Sequence, residues 1–316
     1  MVGLPRTEVI GTRAFSRKEP TISTRSKTPV RLRIGRYLTF LAAVVVLAVT
    51  VVLVVVPDRV IRDTVAGDRR PIWSDDFSGS AGASPDAGRW RHAEGGDGWG
   101  NDETQCYTSD DDNAQLDGDG HLVITALRAP GAGHRCVDGN LNPFTSARLD
   151  TQDRFEFTYG RVEIRAKVPS GIGVWPAFWA LGSDDEGKKW PASGEFDVLE
   201  YVGRLPRRVL AAAHAATADG KHVPLSKETR ATVDIDEDWH TYGVRWTRGA
   251  LVYTFDGEEF ATFTRAEVEE AGGVWPFGHD FYLVLNLAMG GGYPGPVAPD
   301  IEKQEFVIDW VRIYRV

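Results

Sequence analysis

Residues 194–200, GEFDVLE, decide the fold around them and the chemistry that it can carry. Phenylalanine, valine and leucine favour a β-strand, in which alternate side chains lie on the same face. Glu195 and Asp197 are therefore predicted to share one face, while the apolar residues between them point into a core. Glu200 breaks this alternation, and one extra residue in the strand, a β-bulge, would return it to the face of Glu195.

Three carboxylates on one face repel each other, so a purely structural sheet would not favour them. The arrangement suits a retaining glycosidase, in which one carboxyl attacks the anomeric carbon and a second, about 5–5.5 Å away, acts as acid and base. Asp197 is predicted to hydrogen-bond the nucleophile and hold its orientation. The alternative is a calcium site, although calcium usually takes such ligands from loops.

Charge is distributed unevenly along the 316-residue chain, whose formal net charge is −9. Residues 1–36 hold nine Lys/Arg and two acidic residues, so they carry +7 and leave −16 on the rest of the chain. An acidic body does not favour nucleic acid as a partner, whereas neutral sugars are indifferent to its field. Residues 1–36 lack hydrophobic periodicity and are predicted to form a basic, disordered tail.

Residues 37–56 contain no charged side chain, and their second half is mostly Val, Leu and Ala. At about 1.5 Å per residue they would span roughly 30 Å, the thickness of a bilayer core. Because basic residues precede them, the positive-inside rule predicts a single-pass transmembrane anchor with residues 1–36 in the cytoplasm. The alternatives are a buried core helix and a cleavable signal peptide, but no small-x-small cleavage site follows the apolar run.

Residues 57–70 are polar and are predicted to link the anchor to one large domain, residues 71–316. Hydrophobicity in that domain alternates with a period of two, as in residues 161–168, RVEIRAKV. Further strands are predicted at 122–126, 281–289 and 306–314, with a hairpin over 251–263 that turns at Asp256-Gly257 and a short helix over 265–271. This pattern predicts an all-β, antiparallel sandwich or jelly roll.

Both cysteines, Cys106 and Cys136, follow the predicted anchor. Outside the cell a disulfide between them would close a loop of about 30 residues and stabilise the fold by roughly 3–4 kcal/mol. The alternative is a pair of unpaired thiols in loops. No Cys/His cluster has the spacing of a zinc site.

Tryptophans flank the carboxylate strand on its N-terminal side. Trp175 and Trp179 share one face of a predicted strand in residues 175–179, WPAFW, and Trp190 lies five residues before Glu195. A flat aromatic ring suits the C–H face of a sugar ring, so these residues are candidate substrate platforms. The alternative for Trp179 is an ordinary core aromatic residue.

Several polar residues are weaker candidates. Asn101 and Glu103, in residues 99–107, offer hydrogen-bonding groups for sugar hydroxyls on a predicted loop or sheet edge, and a bland surface loop is the alternative. Asn286 lies on an apolar strand, where a buried amide needs partners, so it is either a structural residue or a ligand donor. His240 is predicted to pad a strand end.

Together these segments resemble glycoside hydrolase family 16 and, within it, the laminarinase-like endo-β-1,3-glucanases. The resemblance covers nearly all of residues 71–316 and none of residues 1–70. The matching segments are 73–79 (WSDDFSG), 99–107 (WGNDETQCY), 145–148 (TSAR), 159–163 (YGRVE), 175–179 (WPAFW), 190–195 (WPASGE), 285–291 (LNLAMGG) and 309–314 (DWVRIY).

The resemblance implies a jelly roll with a substrate cleft across its concave sheet and hydrolysis with retention of configuration. By motif position Glu195 is the nucleophile, Asp197 its helper and Glu200 the acid/base. Positions that approach the glucan in such enzymes are Trp175, Trp179, Trp190, Asn101, Glu103, Arg148 and His214. No cofactor is required, but many members bind calcium on the convex side, where Asp309 matches the side-chain ligand and carbonyls near Ser74 and Gly118 complete the site.

Two positions depart from the family's pattern. Phe196 replaces the usual Ile or Leu between the first two acids, and Ala147 stands where Gly is usual before Arg148. Neither change removes a reacting group. A membrane anchor is less usual in the family and leaves open a role at the cell surface.

The sequence therefore predicts a monomeric, membrane-tethered, endo-acting glycosidase that cleaves β-1,3 or mixed-linkage glucan outside the cell, or a secreted one if the anchor is cleaved. A transglycosylase acting on cell-wall glycan is the alternative within the enzyme class. A lectin-like sandwich that binds glycans without cleaving them is another, but inactive relatives of such folds generally lose a catalytic acid. A sensor fits poorly with one helix and a tail that has no folded domain.

Overall fold

The computed structural model of the protein describes residues 70–183 and 187–316. The predicted tail and anchor, and all of the predicted linker except its last residue, lie outside this range. These three predictions therefore stay untested. Within the described range no helix is both long enough and apolar enough to cross a membrane.

Strands dominate the described residues. In chain order they are β1 (Trp73–Asp75), β2 (Arg91–His92), β3 (Gln105–Tyr107), β4 (Ala114–Leu116), β5 (Leu122–Arg128), β6 (His134–Arg135), β7 (Leu141–Asn142), β8 (Phe144–Ser146), β9 (Arg148–Asp150), β10 (Gly160–Lys167), β11 (Val174–Gly182), β12 (Glu195–Glu200), β13 (Arg208–Ala216), β14 (His222–Arg230), β15 (His240–Trp246), β16 (Ala250–Phe255), β17 (Glu258–Thr264), β18 (Phe281–Met289) and β19 (Lys303–Tyr314).

These strands form two large sheets and a separate small hairpin, β6–β7. The first sheet has ten strands in the order β17-β16-β15-β10-β19-β5-β8-β3, with β1 paired to β19 and β4 to β5. The second has seven strands in the order β14-β13-β12-β11-β18-β9-β2. Pairing is antiparallel except between β3 and β8. The all-β sandwich that the alternating pattern predicted is confirmed.

The strongest sequence signals correspond to strands at or near their predicted bounds. The strict alternation of residues 161–168 becomes β10, in which every second side chain is buried. The predicted hairpin turn joins β16 to β17, and both Asp256 and Gly257 adopt the left-handed backbone conformation, with φ of 51° and 85°, that such a turn requires. One short helix follows, α1 (Arg265–Glu270), which begins at a capping box formed by Thr264 and Glu267.

The core lies between the two sheets, and aromatic rings join them at β12. The fully buried ring of Phe196 lies 5.4 Å from Trp246 of β15 and 5.5 Å from Phe281 of β18, measured between ring centroids. The Trp246 indole donates to the carbonyl of Phe277 at 3.2 Å, so this large ring is anchored as well as packed. β12 is therefore fixed against the first sheet through its apolar face.

A disulfide joins Cys106 of β3 to Cys136, as predicted, across a sequence separation of 30. The residues that follow Cys136 are also tied by hydrogen bonds to the segment after β2. The Asn142 amide donates to the carbonyls of Gly96 and Gln105, both at 2.9 Å, and the Asp138 carboxylate accepts from the Gly96 N–H at 2.7 Å. These contacts hold the segment after Cys136 against the residues that follow the edge strand β2.

We predict that Phe196→Ala lowers the free energy of unfolding by about 3–5 kcal/mol, because it leaves a cavity between the sheets behind β12. Guanidinium denaturation followed by tryptophan fluorescence measures the change. Phe196→Leu, which keeps much of the buried volume, is the matched control and should cost roughly 1–2 kcal/mol. A loss below about 1 kcal/mol in the alanine variant would contradict this packing role.

Candidate active site

A bulge in β12 brings three acidic side chains to one face of the second sheet. The paired residues on β11 and β12 are Leu181–Glu195, Trp179–Asp197 and Ala177–Glu200, with a register shift between the second and third pair. Because those β11 partners alternate along their strand, their β12 partners lie on the same face. Val198 is the extra residue and is buried in the core beside Leu199. The predicted bulge is confirmed.

The N-terminal end of this strand is held by a close backbone approach. Gly194 has a φ of 82°, and a Cβ atom at this position would lie 2.7 Å from the Pro276 ring. Only glycine combines this backbone conformation with so little space. The residue directly before Glu195 is therefore dictated by packing.

The acidic face forms the floor of an open cleft of about 930 Å³ across the second sheet. The structure brings together every side chain that the sequence analysis assigned to catalysis or glycan binding. These are Glu195, Asp197, Glu200, Trp175, Trp179, Trp190, Asn101, Glu103, Arg148, His214 and Asn286.

Burial sets the ionisation of the three acids. Burial, and then the charge of Asp197, raise the pKa of Glu195 to about 8, against an ordinary value of 4.5. Burial also raises the pKa of Asp197, and burial together with Asp197 raises that of Glu200. Such mutual repulsion favours states in which one carboxyl is ionised while a neighbour keeps its proton, which is what an acid and a nucleophile require.

Glu195 is surrounded by groups that stabilise its ionised form. The Trp190 indole, whose residue is 49% exposed, donates to Glu195 Oε2 at 2.6 Å. His214 Nε2 lies 3.8 Å from Glu195 Oε1 and 3.4 Å from Asp197 Oδ2. Asp197 lies on the same face of β12 and acts in the opposite direction, because its charge raises the pKa of Glu195; its helper role stays a prediction. Trp190 thus acts as a hydrogen-bond donor as well as a candidate sugar platform.

A buried chain of hydrogen bonds fixes the Trp179 ring in the cleft floor. The Trp179 indole donates to Asn286 Oδ1 at 2.8 Å, and Asn286 Nδ2 donates to Tyr107 Oη at 3.0 Å. Tyr107 in turn donates to Glu103 Oε2 at 3.1 Å. Asn286 therefore has a protein partner on each side of its amide, as a buried amide needs.

Glu103 is more deeply placed than a surface-loop residue. It is 8% exposed, and its Oε1 accepts from Asn101 at 3.0 Å while its Oε2 also accepts from Gln105 at 2.6 Å. Both oxygens thus bind protein donors, which makes Glu103 an anchor for the cleft floor. Direct contact between Glu103 and a sugar hydroxyl stays a prediction.

Arg148 links two tryptophans at the same end of the cleft. Its guanidinium lies 4.7 Å from the Trp99 ring centroid and 4.8 Å from that of Trp179, within the range of cation–π attraction. Arg148 also pairs with Asn286 across β9 and β18. The guanidinium of Arg148 therefore lies between the two tryptophan rings, next to the buried hydrogen-bond chain.

The sequence analysis missed three residues that line this cleft: Arg208, His222 and Tyr293. Tyr293 lies edge-on to Trp175 at 5.2 Å, and the Arg208 guanidinium lies 5.9 Å from the Tyr293 ring. The period of two along β13 places Arg208 on the face of His214, so that signal was available. His222 reaches the cleft because its strand pairs with β13, and Tyr293 reaches it from a glycine-rich loop. Neither feature produces a sequence pattern that would have predicted a cleft residue.

The calcium ligands implied by resemblance already have cationic partners. The Asp309 carboxylate is hydrogen-bonded and ion-paired with Arg165, and the Ser74 carbonyl accepts from Arg89. Two guanidinium groups at these oxygens do not fit a calcium ion, and the chemistry below uses none. Calcium binding stays an untested prediction. In the cleft, Glu195, Asp197 and His214 lie close together, but their contacts with one another and with Trp190 account for that arrangement without an ion.

Paired, partly buried glutamates on the floor of an open aromatic cleft, carried by an all-β sandwich, define this protein as a glycosidase. The chain belongs to glycosyl hydrolases family 16, whose sequence profile matches residues 101–312. The two glutamates of β12 and the open cleft above them agree with membership of this family.

Known relatives cover most of the described residues. A β-glucanase from Rhodothermus marinus is 35% identical over 255 residues, which cover 77% of this chain and 84% of the relative. A glucan endo-1,3-β-glucosidase from Cryptopygus antarcticus is 34% identical over 256 residues, covering 76% of this chain and 90% of the relative. The solved laminarinase catalytic domain of Thermotoga maritima superposes with a TM-score of 0.68 at 32% identity, covering 78% of this chain and 98% of that structure.

We predict that Glu195→Gln stabilises the fold at alkaline pH. Burial and the charge of Asp197 raise the pKa of Glu195 from about 4.5 in the unfolded chain to about 8 in the folded protein, so wild-type stability falls as the pH rises through this window. The glutamine variant has no such loss of stability with pH. Its free energy of unfolding should therefore exceed that of the wild type by on the order of 2 kcal/mol at pH 8.5, with little difference at pH 4.

Urea denaturation at pH 4, 6 and 8.5 measures the difference between Glu195→Gln and the wild type. Glu258→Gln, which removes an exposed carboxylate from β17, is the control and should follow the wild-type profile. An equal stability gap at all three pH values would show that the charge of Glu195 is not its origin.

Proposed function

We propose that this protein is an endo-acting β-1,3-glucanase that hydrolyses its substrate with retention of anomeric configuration. The observation that carries the proposal is the bulged strand β12, which presents Glu195 and Glu200 to one open cleft. Because the cleft is open along the sheet, it suits binding in the interior of a polysaccharide. The relatives include a glucan endo-1,3-β-glucosidase and a laminarinase, which supports β-1,3-linked glucan as the substrate class; an endo-1,3-1,4-β-glycanase among them makes mixed-linkage glucan the second candidate.

In the first step Glu200 donates its proton to the glycosidic oxygen while the Glu195 carboxylate attacks the anomeric carbon. The C–O bond to the leaving chain breaks, and a covalent glycosyl-enzyme forms at Glu195. The hydrogen bond from Trp190 and the charge of His214 favour the ionised form of Glu195 before attack. Burial and the negative charge of Asp197 favour the protonated form of Glu200.

In the second step Glu200, now a carboxylate, takes a proton from water as the water oxygen attacks the anomeric carbon. The ester bond to Glu195 breaks, the sugar leaves with its original configuration, and Glu200 is again protonated. Two inversions at one carbon thus give net retention. Trp179 and the residues that brace it orient the sugar rings during both steps.

We expect the wild-type protein to release oligosaccharides from laminarin and to cleave mixed-linkage glucan more slowly, with galactan resistant. Proton NMR in the first minutes should show the β-anomer at new reducing ends, before mutarotation produces the α-anomer. Initial α-product would exclude the double displacement. Binding of laminarin without any cleavage would instead favour the lectin-like alternative, and longer oligosaccharides as main products would indicate transglycosylation.

Glu195→Gln and Glu200→Gln should each lower kcat by roughly 10²–10⁴-fold or more while laminarin binding persists, because each removes a reacting group and keeps its shape. Reducing-end release measures kcat, and calorimetry with laminari-oligosaccharides measures binding. Glu163→Gln, on the far side of the sandwich in β10, is the control and should retain wild-type turnover. Wild-type turnover in either cleft variant would rule out these roles.

Azide separates the two roles in alanine variants assayed with an aryl laminaribioside. In Glu200→Ala, azide attacks the glycosyl-enzyme and should give a β-glycosyl azide. In Glu195→Ala, azide takes the place of the missing nucleophile and should give an α-glycosyl azide. The reverse pattern would exchange the two assignments.

We further propose that residues 37–56 anchor the enzyme in the cell membrane with residues 71–316 outside. Their charge-free length and the preceding basic segment support this placement. Protease treatment of intact cells should degrade the catalytic domain and leave the tail protected. Recovery of full-length protein in the soluble fraction would contradict the anchor.

A further inference from the structure

Two histidines meet at the edge of the cleft, next to the nucleophile. His214 lies on β13, directly across from Glu195, and His222 is the first residue of the edge strand β14. His214 Nδ1 and His222 Nε2 are 2.8 Å apart, and the two ring planes lie within 21° of each other at a centroid distance of 5.0 Å. The contact is therefore a ring-to-ring hydrogen bond between neighbouring strands.

The other ring nitrogen of His214 faces the acids. Nε2 lies 3.4 Å from Asp197 Oδ2 and 3.8 Å from Glu195 Oε1. His214 thus hydrogen-bonds His222 on one side and faces the carboxyl pair at ion-pair distance on the other. This two-sided contact restricts the ring to an orientation in which Nε2 points at the nucleophile.

Proton counting shows what this geometry permits. A nitrogen–nitrogen contact of 2.8 Å needs one proton between the rings, so it can form when the pair is neutral or carries one positive charge, but not two. Ionised carboxylates accept hydrogen bonds only, so they favour an N–H at His214 Nε2. His222 then either donates to His214 Nδ1 or, when the pair is charged, accepts from it.

His222 also contacts the second group that stabilises Glu195. Its ring lies 4.8 Å from the ring of Trp190, the residue whose indole donates to Glu195 Oε2. One exposed imidazole therefore packs against both neighbours of the nucleophile. Burial and the charge of His214 lower the pKa of His222, which favours the acceptor state of its ring when His214 is charged.

We propose that His222 is a positioning residue that, through His214, keeps an N–H directed at Asp197 and Glu195 and so favours the ionised form and the orientation of the nucleophile. The proposal rests on the assignment of Glu195 as nucleophile. His222 itself does not touch the reacting atoms. It acts on the first chemical step, in which an ionised Glu195 attacks the anomeric carbon.

The charged groups around the pair come from three elements. Strand β12 presents Glu195, Asp197 and Glu200, whose pKa values respond to one another and, for both glutamates, to the charge of His214. Beside His222, Lys221 is ion-paired with Asp219 at 3.0 Å. In the segment before Trp190, sequence places Lys188 and Lys189. A variant that leaves all of these in place isolates the contribution of the histidine pair.

Two substitutions of His222 separate the hydrogen bond from the packing. His222→Phe keeps an aromatic ring against His214 and Trp190 but has no nitrogen to hydrogen-bond. His222→Gln loses the ring but places an amide near the position of Nε2, where it can donate or accept. His121→Phe is the control, since His121 pairs with Asp117 and packs on Trp239, and none of these residues lines the cleft.

We expect His222→Phe to lower kcat on laminarin about tenfold, with KM changed less than about twofold, because a reacting group is mispositioned while the sugar contacts remain. The acidic limb of kcat/KM should move to higher pH by roughly half a unit or more, since a less well held His214 stabilises the Glu195 carboxylate less. His222→Gln should stay within about threefold of wild type, with its acidic limb unmoved. His121→Phe should match the wild type in both measurements.

A purely structural role for His222 would lower stability without moving the acidic limb. A wild-type kcat and acidic limb in His222→Phe would overturn the proposal, and so would an equal shift of the limb in the phenylalanine and glutamine variants. Circular dichroism and thermal unfolding confirm that the compared variants are folded.

Nitrogen-15 NMR of histidine-labelled wild-type protein tests the same geometry without any substitution. We expect His214 Nε2 to carry a proton from pH 5 to pH 8, and a bare Nε2 across that range would overturn the proposal. This measurement also separates the two claims of function. A wild-type protein that cleaves no glycan refutes the proposed activity, whereas the NMR result still decides the state of the histidine pair.

Discussion

The active site depends on one irregularity, the extra residue Val198 in β12. A regular strand would place Glu200 on the core face, where its charge would meet only apolar neighbours and no cleft. The bulge is stable because Val198 and Leu199 are both buried, so the strand gains apolar contacts where it loses regular pairing. The same two residues thus serve the core and turn the second glutamate toward the cleft.

Burying three acids together costs stability, and the surrounding structure offsets that cost on both sides of the strand. Behind β12, the ring of Phe196 packs against Trp246 of the first sheet. In front of it, Trp190 and His214 supply a donor and a positive charge to Glu195. The raised pKa values of the three acids reflect this balance between stability and activity, which is common at sites that need groups with perturbed pKa values.

The cleft wall is built on a different principle from its floor. On the floor, neighbouring strands place the acids by register alone. In the wall, Trp99 and Arg148 come from elements distant in sequence and stack toward Trp179 of the floor, whose ring is held by hydrogen bonds that lead through Asn286 and Tyr107 to Glu103. The disulfide at Cys106 lies one residue from Tyr107 of that network, so the loop that it closes supports the same end of the cleft.

Sequence reasoning succeeded where one local pattern dominates. Three such patterns each lie within about ten residues, and the structure agrees with them. They are the strict alternation in β10, the Asp256-Gly257 turn and the apolar run of β18. The short strands β1 to β4 and β6 to β9 escaped, because two or three residues carry no period and form strands only by pairing with distant partners. His222 escaped for a different reason, since the sequence analysis did not predict the β13–β14 hairpin that brings it to His214, eight residues earlier.

The amino-acid sequence by itself determined the sandwich class, the bulged acidic strand, the cysteine pair and the family to which the chain belongs. These properties follow from alternation, motif order and spacing, all of which are local or ordered along the chain. Only the tertiary structure decided that Glu103 is an anchor with both oxygens occupied, that arginines occupy the expected calcium ligands, and that two histidines share a hydrogen bond beside the nucleophile. The contact between Arg165 and Asp309 joins strands far apart in sequence, whereas the Glu103 and histidine contacts lie within eight residues. All of them depend on burial and on side-chain geometry, which spacing does not encode.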